Sequence, residues 1–501
     1  MPVSRKKTKT SAAKPSSRKK SGRIAFAVIA LGAAVAALIL CAAVYLVAVG
    51  VSSSSRGVFP GSNLMSEKIP LSEKQFSILT ELEGKSSEIS SALVKMGREA
   101  NSLLLIDAGF IPAVPSHPKL AESIKKFTDF LAALKKAKPS LSIILFLDGA
   151  SRNYQKSCPG IFAELVKNGV TVIFSDPSIQ KSDRPMRLPL ISMARSAMKT
   201  ISGKDSDPDF AAADSGKDSG FPGEAFLERQ EGLASRRNLV IADSRESGWE
   251  ALTGHFRGFK TGKEFQMAFR IKGGAVVPLL KNELFTLREM LVRAGYGYSS
   301  DGSAAILRDI EALLKNTRAS VSADKQGAMT AEFLTESPAG EKLEWMLAGA
   351  TAGETVNITA GRLSDNRVIG SIKNAARRNC RPRIIFDWNN PLAVNHPGMP
   401  NSAAADELAR FSAAEEKPVN IRWMDNCRTG VCFIQIVNSG SGTARMMLLS
   451  SGMDSKSLRG YDLCSAVYAE GKIPDSQRMA DLFNNCLMNR NGLFGTSDPL
   501  P

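Results

Sequence analysis

Apolar residues recur at a spacing near 3.6 in one set of segments and as short β-branched runs in another, and the two kinds alternate along most of the chain. The pattern predicts a helix over 88–100, a strand over 103–107, a helix over 119–137, a strand over 142–147 that leads into Asp148, a helix over 161–168 and a strand over 170–175. The same order then returns: helix 340–351, strand 356–360, helix 365–378, strand 383–386 leading into Asp387, helix 401–412 and strand 419–424. Such alternation implies an α/β fold, with a mixed sheet covered by helices in each half. The repetition implies two homologous domains, 74–290 and 325–501, joined by connecting helices over 291–324 and related by a pseudo-two-fold axis.

Two stretches break the pattern. Residues 24–51 carry no charge, and at about 1.5 Å per residue they are long enough to cross a bilayer. Residues 1–23 hold nine Lys/Arg and no acid. A cleaved signal peptide is the competing reading, with small residues at Ala48 and Gly50, but its apolar region spans only about 7–15 residues. A retained transmembrane signal anchor is therefore expected, with the basic tail cytoplasmic and the bulk extracytoplasmic, on the periplasmic side of the inner membrane if the chain is bacterial. A stalk is expected over 52–73. The second exception is 203–220, too rich in Asp, Gly and Ser to pack and expected to be a mobile insertion. Just before it, 188–201 is amphipathic and basic, and reads either as a helix on the core or as a membrane-facing lid.

Composition adjusts this picture in two ways. The net charge of +16 is concentrated in the tail, beyond which 56 Lys/Arg face 49 Asp/Glu. That is a mild preference for anionic surfaces, and no nucleic-acid partner is expected. Of seven cysteines, Cys41 lies in the predicted span, and the other six, Cys158, Cys380, Cys427, Cys432, Cys464 and Cys486, could form disulfides in an oxidising compartment. None has zinc-finger spacing and the chain has three histidines, so no metal or other cofactor is expected.

Several stretches carry a resemblance. Residues 363–408, then IRWMDN, LLSSGMDSKSLRGYDL and LFNNCLMNRNGLF resemble the second half of bacterial phospholipase D-like proteins, the superfamily that includes cardiolipin synthases. Residues 127–176 and SRRNLVIADS (235–244) resemble the first half. The resemblance implies two phospholipase D-like α/β domains and a family motif, H-x-K-x4-D, once in each. Residues two apart on a strand share a face, so such a His and Lys project together into the cleft. One His attacks phosphorus, the other protonates the leaving group, and Lys and Asn side chains stabilise the phosphoryl oxygens.

On this chain the first motif falls on Arg236, Asn238 and Asp243, and the second on Cys432, Ile434 and Ser439. The downstream Asn becomes Met453, the His-orienting carboxylate becomes Cys464, and Gln266 lies near the corresponding place in the first half. Each lost acid–base role removes about 10²–10⁴ in rate, so the resemblance implies a catalytically degenerate protein. Binding or envelope scaffolding is the leading expectation, and a purely structural partner-binding module stands third. The alternative is an active phospholipase D or phosphatidyltransferase working through His255 or Cys432; His117 and His396 lie beside prolines, far from the motifs. Arg236, Arg237, Lys456 and Arg459 are candidate phosphate-binding residues, or else they neutralise Asp243, Asp454 and Asp462. Cys432 and Cys464 are read as quiet thiols, with a disulfide between them as the sharper option. The expected partners are the lipid bilayer, an anionic phospholipid or other phosphodiester, and an unidentified protein.

Overall fold

The computed structural model describes residues 63–82, 87–112, 118–148, 160–175, 237–244, 248–256, 264–294, 297–299, 301–316, 327–388, 401–424, 428–438, 440, 442–460, 462–488 and 496–497. The chain runs β1 (Ile69–Leu71), β2 (Phe76–Leu82), α1 (Glu88–Glu99), β3 (Ala100–Pro112), α2 (Pro118–Ala137), β4 (Ser142–Asp148), α3 (Gly160–Lys167) and β5 (Thr171–Phe174). It continues through β6 (Asn238–Ser244), β7 (Gly248–His255), β8 (Glu264–Lys272), α4 (Val277–Ala294), β9 (Gly297–Tyr298) and α5 (Ser303–Asn316). The second half holds β10 (Met329–Thr335), α6 (Ser337–Ala348), β11 (Thr355–Ala360), α7 (Asn366–Arg377), β12 (Arg381–Asp387), α8 (Asn401–Glu415) and β13 (Asn420–Met424). It closes with β14 (Arg428–Thr429), β15 (Cys432–Asn438), β16 (Thr443–Leu449), α9 (Ser455–Leu458), β17 (Ser465–Gly471), α10 (Ser476–Met488) and β18 (Thr496–Ser497).

The repeat expected from the sequence is present in the strand pairing. One sheet has the order β2-β8-β7-β6-β3-β4-β5-β9 and the other β10-β17-β16-β15-β11-β12-β13-β18. Each step has the same sense in both: β3–β4–β5 and β11–β12–β13 are parallel, and the remaining pairs antiparallel. The register repeats as well, since Ala108 faces Leu147 and Asn238 in the first sheet while Ala360 faces Phe386 and Cys432 in the second.

Two short strands cross between the halves. β1 precedes the first half yet pairs with β10 at the edge of the second sheet, Leu71 opposite Met329. The tail end of the expected stalk is thus a strand, because Ile69 and Leu71 share a face and bury it. β14 belongs to the second half yet pairs with Glu264–Phe265 of β8.

The packing has three parts. The outer faces bury two separate apolar clusters under their helices, while the inner faces of both sheets share a third that includes Phe76, Phe269, Phe433, Met446, Leu448 and Val467. Within it the rings of Phe269 and Phe433 meet edge to face at 6.4 Å. Helix α7 shows how the covering helices are fixed: Asp365 accepts the Arg367 and Val368 amides as N-cap, and Val368, Ile369, Ile372, Ala375 and Ala376 form its buried stripe.

Among the described residues no helix is long and apolar enough to cross a membrane. The predicted anchor over 24–51, the amphipathic segment over 188–201 and the insertion over 203–220 lie outside the described residues.

Candidate functional site

The second motif occupies the start of β15, a position closed by packing. Cys432 and Ile434 are fully buried in one apolar cluster with Met453 and Cys464. The Cys432 thiol points at the Arg362 carbonyl oxygen at 3.8 Å, and the Cys464 thiol donates to the Ser457 carbonyl oxygen at 3.2 Å. Burial pushes both thiols above the ordinary cysteine range. Neither is a thiolate nucleophile near neutral pH, which removes Cys432 from the candidate catalytic residues. The sharper disulfide option is corrected too: Cys380, Cys432 and Cys464 are free thiols, and the two motif cysteines turn towards different carbonyls.

The first motif lies at β6. Asn238 opens the strand and is buried. Asp243, near the far end, accepts the amides of Asn101, Ser102 and Leu103 at 2.8–3.1 Å and the Ser102 hydroxyl at 2.5 Å. The retained motif acid therefore fastens the first residues of β3, where the register against β6 shifts between Ala100 and Leu104.

Strand register also corrects the relation between the motifs. Asn238 is the counterpart of Cys432, because each faces the alanine that ends the matching neighbour pairing. Counting from sequence had placed Arg236 opposite Cys432 and Asn238 opposite Ile434, two residues out of step. If Arg236 leads the first motif, its counterpart is Gly430. A two-residue shift keeps the same face of the strand, so the packing argument stands. The same register makes Gln266 the counterpart of Cys464, as expected: Thr253 pairs with Phe269 where Leu448 pairs with Val467.

Two of the candidate phosphate-binding cations, Arg237 and Arg459, are occupied. Arg237 is fully buried; its Nη2 donates to both carboxylate oxygens of Glu336 at 2.9 and 3.0 Å, and its Nη1 to Glu283 Oε2 at 2.6 Å and to Thr286 Oγ1 at 3.2 Å. A guanidinium engaged in this way has no fork to offer a phosphate, so Arg237 is withdrawn as a phosphate ligand. Arg459 donates to Asp365 Oδ1 at 2.7 Å and pairs with Glu344 at 2.6 Å. It neutralises acids, but not those expected from sequence, since Asp454 pairs with Arg362 at 2.9 Å. Arg236, Ser439 and the side chain of Lys456 lie outside the described residues, as do His117 and His396.

Glu336 and Glu283 were not singled out from the sequence. Glu283 had a visible signal, since it interrupts the apolar stripe of Leu279, Leu280, Leu284 and Leu287 on α4. Glu336 has none: it precedes Ser337-Pro338 at the start of α6, in a left-handed backbone conformation with φ of 50°. Its Oε1 also accepts the Cys464 amide at 2.9 Å. Burial pushes the Glu336 carboxyl up to about 7, against the opposing pull of Arg237.

His255 is the remaining candidate with acid–base capacity. It ends β7, and its Nε2 lies 3.8 Å from Glu264 Oε1. The ring rests on Gly430, where an added Cβ would come within 2.0 Å of Nε2, and Gly430 in turn leaves no room for a Cβ on Gly361. Among the described residues neither ring nitrogen has a hydrogen-bond partner. Among the described residues no three His, Cys, Asp or Glu side chains gather as metal ligands.

No family model matches the sequence, and no curated protein matches it at a significant level. Solved structures do. A phosphatidylserine synthase from Haemophilus influenzae matches 87% of this chain and 90% of its own, at 12% identity and a TM-score of 0.51. The chain has the phospholipase D fold. A polyphosphate kinase from Porphyromonas gingivalis is similar over 84% of this chain and 48% of its own, at 9% identity and a TM-score of 0.45. A yeast tyrosyl-DNA phosphodiesterase is similar over 78% and 88%, at 10% identity and a TM-score of 0.39. In this phospholipase D fold, Cys432, Ile434, Met453 and Cys464 are packed into apolar core, Asp243 is bonded to the backbone, and Arg237 is consumed by two carboxylates.

Proposed function

We propose that this chain is a membrane-anchored, extracytoplasmic protein that uses the phospholipase D fold for binding or envelope scaffolding and performs no phosphodiester chemistry. One observation carries the reading: Cys432, Ile434, Met453 and Cys464 form a single packed apolar cluster where the family motif would present a histidine, a lysine, an amide and a carboxylate. The anchoring rests on the uncharged stretch over 24–51 behind its basic tail. The ligand class favoured by the fold is a phosphodiester. Fold alone does not separate lipid from nucleic acid, so the expected exclusion of nucleic acid is not carried forward.

Co-sedimentation of the purified full chain with phosphatidylglycerol vesicles, and with zwitterionic vesicles as reference, tests the binding half at two salt concentrations. Reconstitution should be done first, so that the anchor is already inserted and only added vesicles or added oligonucleotide compete. Salt-sensitive capture of anionic vesicles supports a lipid ligand, since exposed charges are screened within about 10 Å at 0.1 M salt. Capture of neither vesicle nor oligonucleotide would reduce the role to protein scaffolding.

A second reading, catalysis through non-standard residues, has one observation in its favour. His255 stands beside Glu264 with both ring nitrogens unpaired, the pairing of imidazole and carboxylate that general acid–base chemistry uses. Turnover lost in His255→Ala would establish it.

A further inference from the structure

The seam between the two halves is held by buried ionisable groups that the proposed function does not use. Arg237, just ahead of β6, and Glu283, on α4, come from the first half. Glu336, ahead of α6, comes from the second. The side chains of Arg237 and Glu283 have no exposure, and that of Glu336 is 2% exposed.

Two carboxylates thus share one guanidinium out of reach of water, and a buried charge without its own partner is strongly disfavoured. Among the described residues Oε1 of Glu283 has no hydrogen-bond partner. Among the described residues the other groups facing the cluster add no compensating charge. Asp107 of β3, itself buried, acts on Arg237 as a further negative group. Thr286 of α4 offers a hydroxyl, while Cys464 of β17 offers its amide and a thiol that stays protonated. Glu336 also holds a backbone conformation that non-glycine residues rarely adopt, so the surrounding contacts must fix it there.

We propose that this cluster is a proton-linked latch between the two halves, closed while Glu336 holds a proton beside the Arg237–Glu283 pair and loosened when that proton leaves. Burial raises Glu336 from its ordinary 4.5 to about 7. A raised folded value favours the closed seam below about 4.5, and the advantage is lost as pH rises through about 7. The loosened region would be the meeting point of β6, β7 and β17, where Thr253 and Ser465 hydroxyls also touch at 3.3 Å.

Hydrogen exchange of the full chain in detergent micelles, corrected for the intrinsic rate, tests this at pH 6 and pH 8.5. Protection of β6 and β17 should fall about tenfold between the two, the change expected for a group moving from 4.5 to about 7 on folding. Protection of β4 and β12, on the far side of each sheet, should hold. Glu336→Gln should remove the pH dependence, and Glu283→Gln serves the same purpose if the first variant does not fold. Unchanged protection in the parent chain, an equal loss in the variant that folds, or a loss spread evenly over both sheets would each overturn the latch.

Discussion

Cys432 and Cys464 sit where a reactive side chain would be needed, yet each faces a backbone carbonyl from within apolar packing. Their thiols should resist iodoacetamide in the native full chain and react once it is denatured, which peptide mass spectrometry reads directly. Rapid native labelling of Cys432 would remove the reason for excluding it as a nucleophile. Ile434 gives a second residue-scale test. Ile434→Lys would bury an ammonium with no partner and should lower stability by about 3–5 kcal/mol, measured by urea denaturation. Arg237→Met should cost a similar amount, about 3–5 kcal/mol, because it strands Glu283 and Glu336 together. These side chains also mark how far the sequence could be read at single positions. The loss of His and Lys from the motifs was plain, but the partners of Arg237 lie 46 and 99 residues away, and no local pattern announces such a pairing.

Among the elements, strands and helices with clear periodicity were legible. Helices over Glu88–Glu99, Pro118–Ala137 and Asn401–Glu415 formed within a few residues of their predicted bounds, since an apolar stripe recurring every 3.6 residues suits little else. The crossing strands β1 and β14 were not, because three or two residues carry no period and their place is set by a distant edge. The two-residue slip between the motifs has a related cause: residue counting follows the chain, whereas equivalence follows cross-strand pairing. Asp243 illustrates an element-scale role. Its carboxylate collects three consecutive amides at the irregular start of β3, so Asp243→Ala should release them and lower stability by about 1–3 kcal/mol. Hydrogen exchange should show the loss first around Asn101–Leu103; a uniform loss across the fold would argue against a local staple.

At the scale of the molecule, the duplicated strand order makes the two halves equivalent in backbone while their side chains have diverged. One sheet begins its motif strand with Asn238 under an ion-paired seam, and the other with Cys432 in an apolar cluster. Neither arrangement presents a histidine–lysine pair, and this is the basis on which we propose a role other than catalysis. The most direct measurement is phosphodiester turnover by the purified full chain in anionic phospholipid vesicles, with a chromogenic phosphodiester and a single-stranded oligonucleotide in parallel, and intact mass recorded for a covalent phospho-adduct. The account predicts no turnover above the vesicle blank and no adduct with any of the three substrates. Sustained turnover that disappears in His255→Ala, or a phosphorylated histidine or cysteine in the mass spectrum, would contradict it.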